Sequence, residues 1–311
     1  MNLIDWLLAG DVAIQFQVHR DLLDTDRPDL QARIATEGWG AQLLALRRPN
    51  GDWGREYYFP KWTNTHYTLC ELRRLELPHN QPEVQESLRL ALERHPAAGG
   101  GIAPWGSDDS DTCVDGMFLH IAAWFRVPED RLHSMVDSVL DDRMPDGGFN
   151  CRKRRSGAHH SSMHTTVSVL EGIQSWLDAG YAYRSDELAK AAVAARAFLL
   201  LHRLFKSDRT GKIIHPSFLK LSYPPRWRYD ILRALDHFRA AGHDDPRLAD
   251  ALEVLEGKRR KDGRWPVQAK HPGQTHFDME KAGGPSRWNT LRALRVQRCF
   301  TTPTPSAPPP P

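Results

Sequence analysis

The sequence predicts an all-α fold, a single α/α toroid of about six inner and outer helix pairs around a central cavity. Three observations predict it. Turns built from glycine and an aromatic recur at Asn50-Gly-Asp-Trp53-Gly, Gly99-Gly-Gly-Ile-Ala-Pro-Trp105, Asp146-Gly-Gly-Phe149 and Asp262-Gly-Arg-Trp265. Glycine supplies the backbone angles of a tight bend, and the ring that follows packs as an anchor. Each turn, or a loop standing in for it, precedes a short apolar helix, and from His66 onward these helix starts recur every 45 to 65 residues or so. A repeat longer than one helix means stacked supersecondary units, and matching positions in successive units then face a common axis. No strand-like alternation competes with the helical patterns between the turns.

Taken in order, the inner helices are Val12 to Leu23, His66 to Leu75, Cys113 to Phe125, Thr165 to Leu177, Tyr229 to Ala240 and Trp288 to Arg298. Outer helices alternate with them at Leu30 to Arg47, Glu83 to His95, Asp130 to Arg143, Asp186 to Phe205 and Pro246 to Arg259. Several open with Asp or Pro and are followed by Gly or Pro, residues that favour helix starts and stops respectively. Six such pairs close a ring rather than an open solenoid, the first pair being the least typical. Residues 1–300 form this unit. The tail Thr301-Thr-Pro-Thr-Pro-Ser-Ala-Pro-Pro-Pro-Pro311 lacks the amide donors that helix or sheet needs, so 301–311 are expected to be disordered.

With 40% hydrophobic and 26% charged residues in 311, the chain is long enough to bury a large core. A net charge of +3 is too small to argue for nucleic acid. The run Arg152-Lys-Arg-Arg155 reads as a solvated loop, or as a patch able to hold an anion such as a diphosphate. The first eleven residues are interrupted by acid, carry no basic leader and are too short to span a bilayer, so a cytoplasmic location is expected. Four scattered cysteines (Cys70, Cys113, Cys151, Cys299) form no disulfide framework and read as buried thiols or a metal ligand.

Three consecutive inner helices begin with a potential ligand: His66, then Asp111 with Cys113, then His164. Asp111 and Cys113 are two apart, which in a regular helix aims them in nearly opposite directions, so they share a ligand only at the non-helical approach Gly106-Ser-Asp-Asp-Ser110. A first-turn cysteine has its thiolate stabilised by the helix dipole. Together with the His164 imidazole from the neighbouring spoke, the set would bind zinc and leave a fourth position for water or substrate. Singly, the three read otherwise: Asp111 as a helix cap, Cys113 as a small core residue, His164 as a satisfied polar residue.

His66 reads as cavity-lining or as packed on Trp62, and His159 and His160 as loop residues or partners behind a ligand. The aromatics near inner-helix starts, Trp62, Tyr67, Trp105, Phe118, Trp227, Tyr229 and Trp288, suit either core packing or a deep pocket for an isoprenoid chain or carbocation. Candidate substrate contacts are thus His66, Trp62, Tyr67, Tyr229 and Trp288, with Arg152 and Arg154 for a polar head. Asp230 and Arg287 occupy matching places in the last two repeats.

These residues resemble the terpenoid cyclase and protein prenyltransferase toroid superfamily, in particular short bacterial prenyltransferase or squalene-cyclase-like repeat proteins. The repeated Gly-x-Trp or Gly-x-Phe turn carries the resemblance from Asp11 to Arg298. In the prenyltransferase beta subunits Asp-x-Cys in one repeat and His-Thr-Cys in the next hold zinc. Asp111-Thr-Cys113 and His164-Thr-Thr are similar, and His66-Tyr-Thr-Leu-Cys70 is similar to a histidine motif that contacts the diphosphate. The cations those enzymes carry just upstream of Asp-x-Cys are replaced here by Trp105, Asp108 and Asp109, leaving only Arg152 to Arg155 for that role. Ser110-Asp-Thr-Cys-Val-Asp-Gly also resembles the oxidosqualene cyclase segment whose aspartic acid protonates substrate, and crowding by Asp108, Asp109 and Asp115 would help Asp111 keep a proton. The resemblance therefore implies a zinc-dependent prenyltransferase-like enzyme acting on an isoprenoid or other apolar-tailed small molecule, with a partner subunit not readable from one chain. Its alternatives are a terpene cyclase with Asp111 as acid, a glycan-processing enzyme pairing Asp111 with Asp115 or Asp230, and a non-catalytic toroid binding protein.

Overall fold

The computed structural model describes residues 2–104 and 108–301. Met1, Trp105 to Ser107 and 302–311 lie outside the described residues, and with them the expected pocket role of Trp105 and all of the expected tail except Thr301, which ends the last helix. The helices are α1 (Leu3–Leu8), α2 (Val12–Leu22), α3 (Pro28–Arg33), α4 (Gly38–Ala45), α5 (Thr65–Arg74), α6 (Pro82–Arg94), α7 (Thr112–Trp124), α8 (His133–Asp141), α9 (Arg152–Ser156), α10 (Met163–Asp178), α11 (Ser185–Leu201), α12 (Ile231–Ala240), α13 (Ala249–Glu256) and α14 (Arg287–Thr301). Two short strands, β1 (Trp265–Pro266) and β2 (Pro285–Ser286), pair antiparallel.

The fold class read from the sequence is the one found. Helices α5, α7, α10, α12, α14 and α2 pack each on the next, and the ring closes where the Gln17 side-chain amide of α2 donates to the Arg74 carbonyl of α5 at 3.0 Å, beside an Arg20–Glu76 ion pair. Outside them, α4, α8, α11 and α13 cover α2, α7, α10 and α12. The outer helix read as Leu30 to Arg47 is two helices, α3 and α4. The chain bends at Gly38 (φ +62°), where a Cβ would stand 2.1 Å from the Asp11 carboxylate that accepts the Trp39 amide. Helices α7 and α10 approach most closely: a Cβ on Gly172 would lie 2.4 Å from the Gly116 carbonyl oxygen. Their two N-termini are therefore neighbours.

The recurrent turn has one geometry in four repeats. Gly51, Gly100, Gly147 and Gly263 take φ of +89°, +87°, +96° and +81°, a conformation that glycine adopts without strain. Two residues later, the backbone amides of Trp53, Ile102, Phe149 and Trp265 donate to Thr65, Asp115, Thr166 and Thr290 on the next inner helix, at 2.9, 2.9, 3.0 and 3.0 Å. The indoles of Trp53 and Trp265 reach back to the Leu43 and Leu255 carbonyls, both at 2.7 Å. In the second repeat Ile102 holds the anchoring position.

Inner-helix starts are capped by side chains. Asp11, Asn64, Ser162, Asp230 and Ser286 accept amides of the first turns of α2, α5, α10, α12 and α14, offsetting donors that helix geometry leaves unpaired. Asp111 at the start of α7 is different, because its side chain makes no cap bond.

Candidate functional site

The carboxylate that α7 does not use turns into a cavity of about 480 Å³ at the N-terminal rim of the ring, bounded by the starts of α7 and α10 and the loops before α5 and α12. There Asp111 pairs with the Arg155 guanidinium at 2.9 Å. The basic run forms the short helix α9, and its periodicity sorts the four cations. Arg152 and Arg155, three apart, line the cavity. Lys153 donates instead to the Asp141 and Arg143 carbonyls, and Arg154 pairs with buried Asp142 at 2.8 Å. Arg154, expected to contact substrate, is thus committed to the α8 side of the wall, and Arg155 stands in its place.

Cys113 lines the cavity together with a second thiol, Cys151. Cys113 donates its S–H to Cys151, which raises the Cys113 thiol well above its ordinary range and lowers that of Cys151. Arg155 also lies 3.7 Å from the Cys151 sulfur. Only the place of Cys151, two residues after the Phe149 turn, hints at this contact in the chain itself.

His164 lines the same cavity, packed edge-on against Trp227 with ring centroids 5.0 Å apart. Its Nδ1 accepts the Tyr229 backbone amide at 2.8 Å. Burial, with nearby Arg233 and Arg228, pushes the imidazole down to about 4, so the ring is neutral near pH 7 and carries its proton on Nε2. Its single lone pair is already engaged. A zinc ligand needs that lone pair, and Asp111 is held by Arg155. Among the described residues, no group of three or more His, Cys, Asp or Glu could hold a metal ion. The expected zinc set of Asp111, Cys113 and His164 shares a cavity but does not fit the ion in this arrangement.

The same cavity is also lined by Tyr58, Lys61 and Trp227. The Lys61 ammonium lies 5.2 Å from the centre of the Tyr58 ring and 6.0 Å from that of Trp227, within cation–π reach of both. Burial lowers the Lys61 ammonium from its ordinary value.

The remaining candidates lie elsewhere. His66 is fully buried, with Nδ1 on the Tyr57 hydroxyl at 3.0 Å, and burial pushes it down to about 3. Tyr67 is buried beside it, its hydroxyl 2.7 Å from that of Tyr58. Tyr229 packs in the core and donates its hydroxyl to the Leu204 carbonyl at 2.6 Å. Trp62 lines a different cavity, its indole bonded to the Pro272 carbonyl, and Trp288 lines one at the opposite mouth of the ring. Neither partner suggested for a carboxylate pair joins Asp111. Asp115 accepts the Ile102 amide and is pushed up to about 7 by burial, while Asp230 caps α12.

No protein-family model matches the chain, and no curated protein matches it. Solved structures do. A glycosyl hydrolase of family 88 from Bacteroides vulgatus is 12% identical, with 93% of this chain and 90% of that one covered at a TM-score of 0.48. A variant of the type II terpene cyclase MstE from Scytonema, in complex with its substrate geranylgeranyl dihydroxybenzoate, is 15% identical, with 92% and 86% covered at a TM-score of 0.43. A second MstE variant, in complex with its product merosterolic acid A, is 12% identical, with 87% and 96% covered at a TM-score of 0.33. Among the described residues, no helix is long and apolar enough to cross a membrane.

Proposed function

We propose that the rim cavity binds an apolar-tailed small molecule by an anionic head, and that the chain is a transferase-type enzyme acting on an isoprenoid diphosphate or a close analogue. The observation that carries this reading is the shared lining of one cavity: an ammonium within cation–π reach of two aromatic rings, and two arginines, one of them paired with the Asp111 carboxylate. Three cations outnumber the Asp111 carboxylate and the lowered Cys151 thiol in the lining, an excess of positive charge that a diphosphate offsets.

In the reaction, the allylic C–O bond breaks heterolytically and its electron pair leaves on the diphosphate oxygen, which Lys61, Arg152 and Arg155 stabilise as charge develops. Tyr58 and Trp227 face the resulting carbocation once Lys61 swings to the diphosphate. An acceptor X–H supplies the electron pair of the new C–X bond, and its proton goes to the Asp111 carboxylate. His164 orients Trp227 and keeps its own proton. No step is assigned to a metal, because the donors do not fit one. Protonation of an alkene by Asp111 is the weaker reading, since the guanidinium at 2.9 Å favours the carboxylate form.

Calorimetric titration with inorganic diphosphate, followed by assay of diphosphate release from geranyl diphosphate, tests the proposal. The wild type should bind the anion, and Arg155→Gln should weaken binding by ~10-fold or more, about the value of one charge-assisted contact. Absence of diphosphate binding to the wild type overturns the reading.

A further inference from the structure

A separate cavity of about 320 Å³ lies between α5 and the long segment that joins β1 to β2, and it shares no lining residue with the rim cavity. Three of its wall residues each keep a buried polar atom without a hydrogen-bond partner: Glu71 Oε2, Tyr223 Oη and His271 Nε2. Glu71 and Tyr223 are only 3% and 2% exposed. An unpaired buried polar group carries a free-energy penalty, and three around one space call for a partner that fills it.

The hydrogen-bond inventory defines that partner. Glu71 Oε1 takes the Arg226 and Arg74 guanidiniums, both at 3.1 Å, so Oε2 is left needing a donor. His271 bonds the Pro225 carbonyl, which requires a ring N–H. Because Nε2 is the unpartnered atom, that proton is on Nδ1 and Nε2 is a bare acceptor. Tyr223 can donate or accept. The charges of the wall are matched among themselves, Arg226 with Glu71 and Lys270 with Asp278, while Glu280 accepts the Ser286 hydroxyl and the Trp288 amide, so no net charge calls for an ion. Neutral hydroxyl groups satisfy all three sites. The Trp62 ring, fixed by its bond to Pro272, and Phe277 offer apolar wall for the C–H faces of such a molecule. The volume falls at the low end of the ~300–1,000 Å³ of ligand pockets.

We propose that this cavity binds a neutral polyhydroxylated molecule of monosaccharide or cyclitol size through Glu71, Tyr223 and His271. The probes are myo-inositol and D-glucose, titrated against the full chain by calorimetry and ligand-detected NMR. At least one should bind saturably, and Tyr223→Phe should weaken it by ~10-fold while leaving Tm unchanged or raised, since the lost hydroxyl has no partner in the free protein. His271→Phe, which removes the second acceptor and keeps an aromatic ring, should weaken binding too and serves if Tyr223→Phe fails to fold. Arg155→Gln should leave polyol binding intact, so failure here and failure of the diphosphate reading are distinguishable. The proposal is overturned if neither probe saturates the wild type, or if both variants bind as the wild type does. It is equally overturned if Tyr223→Phe lowers Tm and no polyol binds, because bound water is then the missing partner.

Discussion

The two mouths of the ring are built from the same six inner helices and are both rich in charge, yet they are wired differently. At the mouth formed by the C-terminal halves, Glu171 pairs with Arg233 at 2.6 Å, and Asp236 takes Arg239, Arg292 and Arg295. The Arg233 guanidinium is only 2% exposed and also reaches the Ser168 hydroxyl and the Arg228 carbonyl. At the N-terminal rim, Arg155 keeps nearly half its side chain exposed, the Cys113 and Cys151 thiols shift each other's acidity in opposite directions, and an ammonium lies within cation–π reach of two rings. Interlocked charges at one end tie the inner helices together, while those at the other are the ones the proposed function calls on to exchange partners with a ligand. Charge content alone therefore does not mark the site.

The sharpest way to break this contrast is Glu171→Ala. It strands a buried guanidinium, so the expected loss is about 3–5 kcal/mol in denaturant unfolding. The pair also sets an acid limit. Although burial works against it, Arg233 holds the Glu171 carboxyl down to about 2 from an ordinary 4.5. Its folded value is depressed, so its stabilisation is present above about pH 4.5 and is lost as pH falls toward 2, a slope that Glu171→Gln should flatten in unfolding measured across that window. If Glu171→Ala unfolds at the same denaturant concentration as the wild type, the lower mouth is no lock.

Next in size is Thr166→Val, which leaves the buried Phe149 amide without its acceptor and should cost about 1–3 kcal/mol by the same measurement. The neighbours Arg154 and Arg155 then sharpen the comparison within one helix turn. Arg154→Gln should change diphosphate affinity by less than ~2-fold, against ~10-fold for Arg155→Gln, because an ion pair with Asp142 keeps Arg154 out of the cavity. Equal effects in calorimetry would show that the run acts only through net charge. Smallest in energy is thiol reactivity. Cys151, its thiol lowered by Cys113 and Arg155, should alkylate with iodoacetamide faster than Cys70, whose thiol burial pushes up to about 12. Peptide mapping of a partially labelled sample reads the order directly.

The ring was legible because its punctuation is local. A glycine followed two residues later by a large apolar residue is a chain signal that precedes four of the six inner helices, α5, α7, α10 and α14, and helical periodicity placed the other two, α2 and α12, within a few residues as well. Ile102 escaped because the apolar anchor need not be aromatic, and α3 and α4 were merged because the bend at Gly38 answers to Asp11 far along the chain. The site was legible in part. Asp111, Cys113, His164 and Arg152 do face one cavity. Tyr58, Lys61 and Cys151 reach it on loops whose paths are set by packing against other repeats, which spacing does not encode. Nor could spacing reveal that a backbone amide from the next spoke occupies the His164 lone pair. His66 and Tyr229 carried the right side chains at helix starts, but neighbouring rings bury both.

The four turn-to-helix hydrogen bonds span 12, 13, 17 and 25 residues of chain without a change in their length. Whatever lies between donor and acceptor is free of the closure geometry, so new sequence inserted there should leave neighbouring units undisturbed. The last and longest of these excursions forms one wall of the cavity under α5, and the third carries the cations of the rim. Binding surfaces on this scaffold can thus diversify by lengthening excursions between fixed rivets, while the annulus itself stays unaltered.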